Sequence, residues 1–244
     1  MKKILVMLIC IEGLLGCRAD HRGDRSSQRQ ILIMVDFSIS AKADQPAYKS
    51  YISQIISVVL PDTRVVLGKI VDNTEATFIP IADERFPKYN MLTGNKIVYE
   101  EQKEAAVKIL LARFDSVAQY TNYSKRTDII SSLRIAENLF RDSHGRKMII
   151  FLSDMIEDTP AIHLETAAIT DDYIRTTIER LRKQELIPDL QGYTIYVAGA
   201  TARDNERYRA IQRFWEEVFR TAGATLKAYS RSLIDFHIES EEPK

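Results

Sequence analysis

Short, continuously apolar runs alternate along the chain with longer segments in which apolar residues recur every three or four positions. The short runs are typical of strands buried on both faces of a sheet, and the longer segments are typical of amphipathic helices. The pattern predicts strands over residues 31–35, 64–71, 76–81, 147–153, 193–198 and 225–229. It predicts helices over residues 47–60, 100–120, 128–140, 171–183 and 205–221, and a loop over 83–95.

This order of elements favours one fold class. Strands that alternate with helices are typical of a parallel sheet covered on both faces. We therefore predict an α/β fold with a doubly wound, mostly parallel six-stranded sheet in three layers, similar to a Rossmann fold. No internal repeat and no domain-scale linker interrupts residues 31–238, which are predicted to form one domain, and residues 239–244 form a charged tail.

The first 16 residues have the pattern of a secretory signal peptide. Lys2 and Lys3 precede an apolar segment that is too short to span a membrane. The sequence Leu14-Leu15-Gly16-Cys17 resembles the lipobox of bacterial lipoproteins, which implies cleavage before Cys17 and acylation of that cysteine. Two alternatives stay open: a secreted chain without lipid, and an apolar N-terminal strand.

The lipobox resemblance also implies a location. Residues 17–30 are expected to form a lipid anchor and a polar tether, since this segment has charged and small residues and no apolar run. The protein is expected in the bacterial cell envelope, anchored to a lipid bilayer through acylated Cys17 and facing the periplasm or the surface.

Charge and cysteine content exclude several function classes. The chain has 34 basic and 34 acidic residues, so no broad polybasic surface is available and no nucleic-acid partner is expected. Cys10 and Cys17 are the only two cysteines, which leaves no disulfide framework or thiolate metal cluster beyond them.

Carboxylate and hydroxyl side chains follow the predicted strands. Asp36, Ser38 and Ser40 form a DxSxS pattern after the first strand, Asp154 follows the strand over 147–153, and Thr127 precedes a helix. The carboxyl ends of parallel strands meet at one edge, where ligands bind. Oxygen ligands of these types suit Mg²⁺, or Mn²⁺ and Ca²⁺, rather than zinc. Taken singly, each residue is also a common turn or cap residue.

In this chain order, the residues resemble the von Willebrand factor A (vWA) family. The matching segments are residues 31–40, Thr127-Asp128 and residues 149–154. The resemblance implies a vWA-like fold and a metal-ion-dependent adhesion site, with Asp36, Ser38 and Ser40 in the first loop, Thr127 in the second and Asp154 in the third. It implies that the hydroxyls coordinate directly and that one or both carboxylates act through water.

Two positions depart from the family pattern, which has glycine where this chain has Arg126 and Met155. The resemblance implies a binding module rather than an enzyme, with a metal ion that captures an acidic group of a protein partner. The rim of loops beside the metal, with Arg126, Met155, Glu157 and Asp158, is predicted to contact that partner.

Two other functions remain open from the sequence. One is a Mg²⁺-dependent phosphohydrolase with a nucleophile after the first strand. Phosphatases of the haloacid dehalogenase type have a second aspartate two residues after the first, where this chain has Ser38. The other is a structural envelope protein whose site is unused.

Overall fold

The computed structural model describes residues 29–233. The strands in this part of the chain are β1 (Arg29–Asp36), β2 (Thr63–Ile70), β3 (Ala82–Arg85), β4 (Lys147–Leu152), β5 (Asp158–Thr159), β6 (Ile162–His163), β7 (Tyr193–Ala198) and β8 (Thr225–Ser230). The helices are α1 (Gln45–Ser57), α2 (Lys96–Tyr120), α3 (Ile130–Phe140), α4 (Asp171–Lys183) and α5 (Asn205–Thr221), with a short 3-10 helix over Ser40–Asp44. The predicted signal peptide, Cys17, nearly all of the tether and the charged tail lie outside the described residues.

Six strands form one sheet in the order β3-β2-β1-β4-β7-β8. All neighbours are parallel except β3, which is antiparallel to β2. A small antiparallel hairpin of β5 and β6 lies outside this sheet. The predicted α/β class with a mostly parallel six-stranded sheet is confirmed. We call the edge where the parallel strands end the carboxyl edge, and the opposite edge the amino edge.

The central strand β1 is buried on both sides. Its alternate residues belong to two separate apolar clusters, with Ile31 and Ile33 on one face and Leu32 and Met34 on the other. Helices α1 and α2 cover the first face, and α3, α4 and α5 cover the second. A strand buried on both faces needs apolar residues at successive positions, which is why its sequence shows no alternation.

The third strand of the sheet is not where the sequence pattern placed it. Residues 76–81 form turns and irregular chain, in which the Thr77 amide donates to the Asn73 carbonyl. The strand is Ala82–Arg85, which begins one residue before the predicted loop over 83–95 and continues into it. This edge strand is short and polar, and the ion pair of Arg64 with Asp83, 2.6 Å between Nη2 and Oδ2, joins it to β2. Pairing across the sheet, rather than local hydrophobicity, determined this strand. In residues 29–233 we find no helix that combines the length and apolar character needed to cross a bilayer.

Candidate metal site

Asp36 is the last residue of β1 and is fully buried at the carboxyl edge. Its Oδ1 accepts a 2.8 Å hydrogen bond from the Ser38 amide, and its Oδ2 accepts one of 2.7 Å from the Ser153 hydroxyl. Burial raises the pKa of the Asp36 carboxyl, and the two hydrogen bonds partly oppose that rise. The carboxylate is therefore held in one orientation by groups that follow two neighbouring strands.

A row of hydroxyls connects the first loop to the third. The Ser38 and Ser40 hydroxyl oxygens are 2.9 Å apart, and the Ser40 hydroxyl donates to Oδ2 of Asp154 at 3.3 Å. Strands β1 and β4 are adjacent and parallel, so Asp36 and Asp154 leave neighbouring central strands at the same edge. The prediction that they follow neighbouring central strands is confirmed, and the prediction that both reach one ion stays a prediction.

The electrostatics of the site come from its two buried carboxylates. Burial, together with the charge of Asp36, raises the pKa of Asp154 from an ordinary 3.8 to about 7, while its hydrogen bonds with the Ile156 amide and the Ser40 hydroxyl lower it. Exposed Asp44 raises the pKa of both carboxyls further. Two buried carboxylates that repel each other favour a positive charge beside them.

Thr127 lies on the neighbouring loop and is buried. Its carbonyl accepts a 3.0 Å hydrogen bond from the Asp158 amide, and the next residue, Asp128, donates its amide to the Val71 carbonyl after β2. The same loop reaches the first loop, since the Ser124 amide donates to the Phe37 carbonyl. Thr127 is thus at the carboxyl edge. Within residues 29–233, however, no hydrogen bond joins its hydroxyl to Asp36, Ser38, Ser40 or Asp154.

The donor set suits a hard cation only if hydroxyls and water take part. Residues 29–233 contain no group of three or more His, Cys, Asp or Glu side chains placed to hold a metal ion. Octahedral Mg²⁺ has ligands at 2.0–2.1 Å, so adjacent ligand oxygens are about 2.9 Å apart. The Ser38 and Ser40 oxygens have this spacing, which a hydroxyl hydrogen bond also has. The residue types are those that a cation of this class binds, with two carboxylates to supply charge.

Two of the four predicted rim residues are buried and cannot touch a docked partner. Met155 is fully buried in the core beneath the site, with φ at 64°. Glu157 is also fully buried, and its Oε2 accepts hydrogen bonds from the Ile129 amide at 2.6 Å and the Ile130 amide at 3.1 Å. Glu157 supports the start of α3, where backbone amides have no partner within the helix. The rim prediction is therefore wrong for Met155 and Glu157.

The other two predicted rim residues do reach the surface. The Arg126 side chain is 58% exposed, and its Nε lies 3.6 Å from Oδ2 of Asp158. Oδ1 of the same aspartate lies 3.0 Å from Nδ1 of His163 across the β5–β6 hairpin. Arg126 thus supplies an accessible positive charge on the loop of Thr127, at one of the two positions where the family pattern has glycine.

Three residues near the site were not found by sequence reasoning. Ser153 orients Asp36, and Gln45 donates through Nε2 to the Asp36 carbonyl at 2.7 Å. Tyr48 is buried, and Asp36 and Asp154 raise the pKa of its hydroxyl further after burial itself. Within residues 29–233 that hydroxyl has no hydrogen-bond partner. The only signal for Ser153 was its place before Asp154; Gln45 and Tyr48 gave none, because their contacts come from packing.

This chain has a doubly wound, mostly parallel six-stranded sheet with an antiparallel edge strand and helices on both faces. No protein-family model and no curated protein sequence matches it. Solved structures with a similar fold include the human COPII-coat protein Sec24c, at 9% identity and a TM-score of 0.49, with 84% of this chain and 30% of that chain covered.

Two further solved structures are similar in the same way. A von Willebrand factor type A protein from Catenulispora acidiphila shares 11% identity at a TM-score of 0.47, over 83% of this chain and 39% of the other. The pilus adhesin SpaC from Lactobacillus rhamnosus GG, in its open conformation, shares 13% identity at a TM-score of 0.47, over 79% of this chain and 26% of the other. The chain spans less than two fifths of each of these three structures.

Proposed function

We propose that the vWA-like domain is a binding module that captures an acidic group of a protein partner through a divalent cation at the carboxyl edge. Asp36, Ser38, Ser40 and Asp154 would hold the ion, with Thr127 from the second loop. The ion would be Mg²⁺, or Mn²⁺ or Ca²⁺. The observation that carries the proposal is a set of hydrogen bonds that joins two buried carboxylates at the ends of adjacent strands. The Ser38 amide donates to Asp36, and the Ser38 and Ser40 hydroxyls lead to Asp154.

The proposed metal donors are two carboxylates and three neutral hydroxyls, so the protein would neutralise a bound divalent ion without giving the coordination sphere a net negative charge. Water at the remaining coordination positions can be replaced by a carboxylate from a partner. When bound, the ion supplies positive charge that attracts and orients that carboxylate.

Arg126 adds a second attraction for an anionic partner. Its side chain is exposed, and its pairing with Asp158 at 3.6 Å is of the surface type that contributes little energy. An incoming carboxylate can therefore contact Arg126 at small cost. We assign Arg126 and Asp158 to the partner-binding rim on this ground.

The second part of the proposal is location. We propose that Cys17 is acylated and that the domain is held at a bacterial envelope membrane by residues 17–30, on the evidence of the Leu14-Leu15-Gly16-Cys17 match. Replacing Cys17 by serine should release the protein from the membrane fraction or leave it uncleaved. Unchanged membrane partition and size would reject the anchor.

The metal site is tested by calorimetric titration of Mg²⁺, Mn²⁺ and Ca²⁺ into the purified protein. Capture of envelope proteins is measured in parallel, with and without EDTA. We expect saturable metal binding and EDTA-sensitive capture, with no phosphate release from p-nitrophenyl phosphate. Absence of binding for all three ions would reject the site. Mg²⁺-dependent phosphate release that disappears in Asp36→Ala would favour the phosphohydrolase.

A further inference from the structure

The two edges of the sheet carry opposite charge. The charged residues of each edge lie in the connections there and at the terminal positions of the flanking helices and strands. Acidic residues outnumber basic ones at the carboxyl edge. The acidic residues there are Asp36, Asp44, Asp72, Glu75, Asp128, Asp154, Glu157, Asp158, Glu165, Asp171 and Asp204. The basic residues there are Lys42, Lys125, Arg126, Arg203 and Arg231. The reverse holds at the amino edge, with Arg29, Arg85, Lys88, Lys96, Arg141, Arg146, Lys147 and Lys183 against Asp62, Asp142, Glu185 and Asp189.

An apolar tip protrudes beside these cations. It is the turn between β3 and α2, where Met91 is 87% and Leu92 94% exposed. Strand β3 is antiparallel to β2 and ends opposite its start, so this turn begins at the amino edge. Exposed Lys96 and the 77% exposed side chain of Lys88 flank the tip. Large apolar side chains between lysines are typical of segments that lie in a membrane interface.

The turn has a fixed backbone. The Gly94 amide donates to the Asn90 carbonyl at 2.7 Å, and the Leu92 amide donates to the Asn90 side chain at 2.8 Å. A Cβ on Gly94 would come within 2.5 Å of the Asn90 carbonyl oxygen, so only glycine fits there. The Tyr89 ring packs on the Tyr99 ring of α2, with centroids 4.9 Å apart. Met91 and Leu92 are therefore held outward by local structure.

The chain also enters the domain at this edge. Arg29, the first residue of β1, lies at the amino edge, and residues 18–28 separate it from Cys17. The segment from Cys17 to Arg29 spans at most about 40 Å. A domain held this close to a bilayer meets its surface at a high effective concentration, so that weak contacts become populated.

We infer that the amino edge is a membrane-contacting surface that binds anionic phospholipid headgroups through its cations and inserts Met91 and Leu92 among the lipids. The acidic carboxyl edge, with the candidate metal site, then points away from the bilayer toward a partner. This inference rests on the anchor at Cys17 that the proposed function includes. Membrane surfaces with anionic lipids attract basic residues within about a Debye length, and salt weakens that attraction.

The test places an environment-sensitive fluorophore on the mature acylated protein, in which Cys17 is blocked by lipid. Leu92→Cys carries the probe at the tip, and Ile79→Cys is the matched control, because Ile79 is an exposed apolar residue in the connection at the carboxyl edge. Both proteins are reconstituted into vesicles of phosphatidylglycerol with phosphatidylethanolamine, and into vesicles of phosphatidylcholine.

We expect the Leu92 probe alone to shift its emission to the blue in anionic vesicles and to be quenched by lipids brominated on their acyl chains. Adding Lys88→Gln and Lys96→Gln, or high salt, should reduce both signals. Equal emission from the two probes in anionic vesicles would overturn the inference. Self-quenching of the Leu92 probe that does not depend on lipid would also overturn the inference, since the tip would then contact a second copy of this chain.

Failure of the proposed function is visible separately. Mass spectrometry of the N-terminal peptide measures acylation of Cys17, and calorimetry measures metal binding. Absence of acylation would reject the anchor before any probe is attached, and absence of metal binding would leave the comparison of the Leu92 and Ile79 probes on acylated protein unchanged.

Discussion

The Ser153 hydroxyl donates a 2.7 Å hydrogen bond to Oδ2 of Asp36, and it accepts one of 2.9 Å from the Met155 amide. One buried hydroxyl therefore joins the end of β1 to the loop that follows β4. The orientation of the first proposed ligand and the backbone of the third loop depend on each other through this contact.

Ser153→Ala tests that dependence. The substitution leaves an Asp36 oxygen and the Met155 amide without their partner in a buried place, so the free energy of unfolding should fall by about 1–3 kcal/mol. Mg²⁺ affinity should fall as well, because Asp36 loses a group that orients it. Urea unfolding and calorimetry measure the two effects. Ser143→Ala, at the opposite edge, is the control, and equal results for both variants would contradict the coupling.

Asp36→Ala is expected to abolish Mg²⁺ and Mn²⁺ binding while the domain still folds. Loss of the acceptor for the Ser38 amide and the Ser153 hydroxyl costs about 1–3 kcal/mol, but removal of a buried charge beside Asp154 offsets part of that cost. Thr127→Ala should weaken binding less, since a neutral hydroxyl contributes less electrostatically. Asp44→Ala removes a nearby exposed charge without removing a proposed ligand. Equal metal affinity in Asp36→Ala and Asp44→Ala would reject the site.

Glu157 should make stability depend on pH. Burial, then the charge of Asp128, raises its pKa well above the usual 4.5. Between the usual and the raised pKa, the folded state holds a proton that the unfolded state has released, so this contribution to stability is complete below about 4.5 and declines as pH rises. Glu157→Gln keeps an acceptor for the Ile129 and Ile130 amides without titrating. Its free energy of unfolding, relative to wild type, should rise with pH; a pH-independent difference would contradict the assignment.

Replacing Met155 by glycine should destabilise the protein no more than replacing it by alanine. Its φ of 64° is strained for any residue with a Cβ, at about 1–2 kcal/mol, and favours glycine. Its buried side chain contributes about 2–5 kcal/mol. Met155→Gly and Met155→Ala both lose the side chain, but only glycine relieves the strain. We expect both to destabilise and glycine to be no worse than alanine. Thermal unfolding measures this, and a clearly less stable glycine variant would count against strain at this position.

Arg126→Ala should weaken capture of an acidic partner and leave Mg²⁺ affinity equal to or slightly above that of wild type. The arginine repels a cation and attracts an anion. Its removal should therefore favour Mg²⁺ binding and weaken capture of the acidic partner. Lys125→Ala removes the adjacent exposed charge and serves as the control. Partner capture and calorimetry should be measured on the same preparations. Tighter partner capture in Arg126→Ala would mean that this side chain blocks the site.

Sequence alone determined the layers and the position of the candidate site. The continuous apolar run of β1 predicted a strand buried on both faces, and the periodic segments predicted the helices, because local periodicity reports which side of an element meets the core. Asp36 and Asp154 were placed at one edge, since parallel strands end together. The DxSxS spacing brought Ser38 and Ser40 to the same loop.

Only the tertiary structure decided the rest. Strand β3 forms because polar residues 82–85 pair with β2, and no local pattern reports pairing across a sheet. Glu157 and Met155 looked like loop residues, but one supports the start of α3 and the other fills the core. The bond of Ser153 with Asp36 joins residues 117 positions apart. The physical reason is the same in each case: burial and hydrogen-bond partners are set by chain segments distant in sequence, which the residue's own neighbours do not encode.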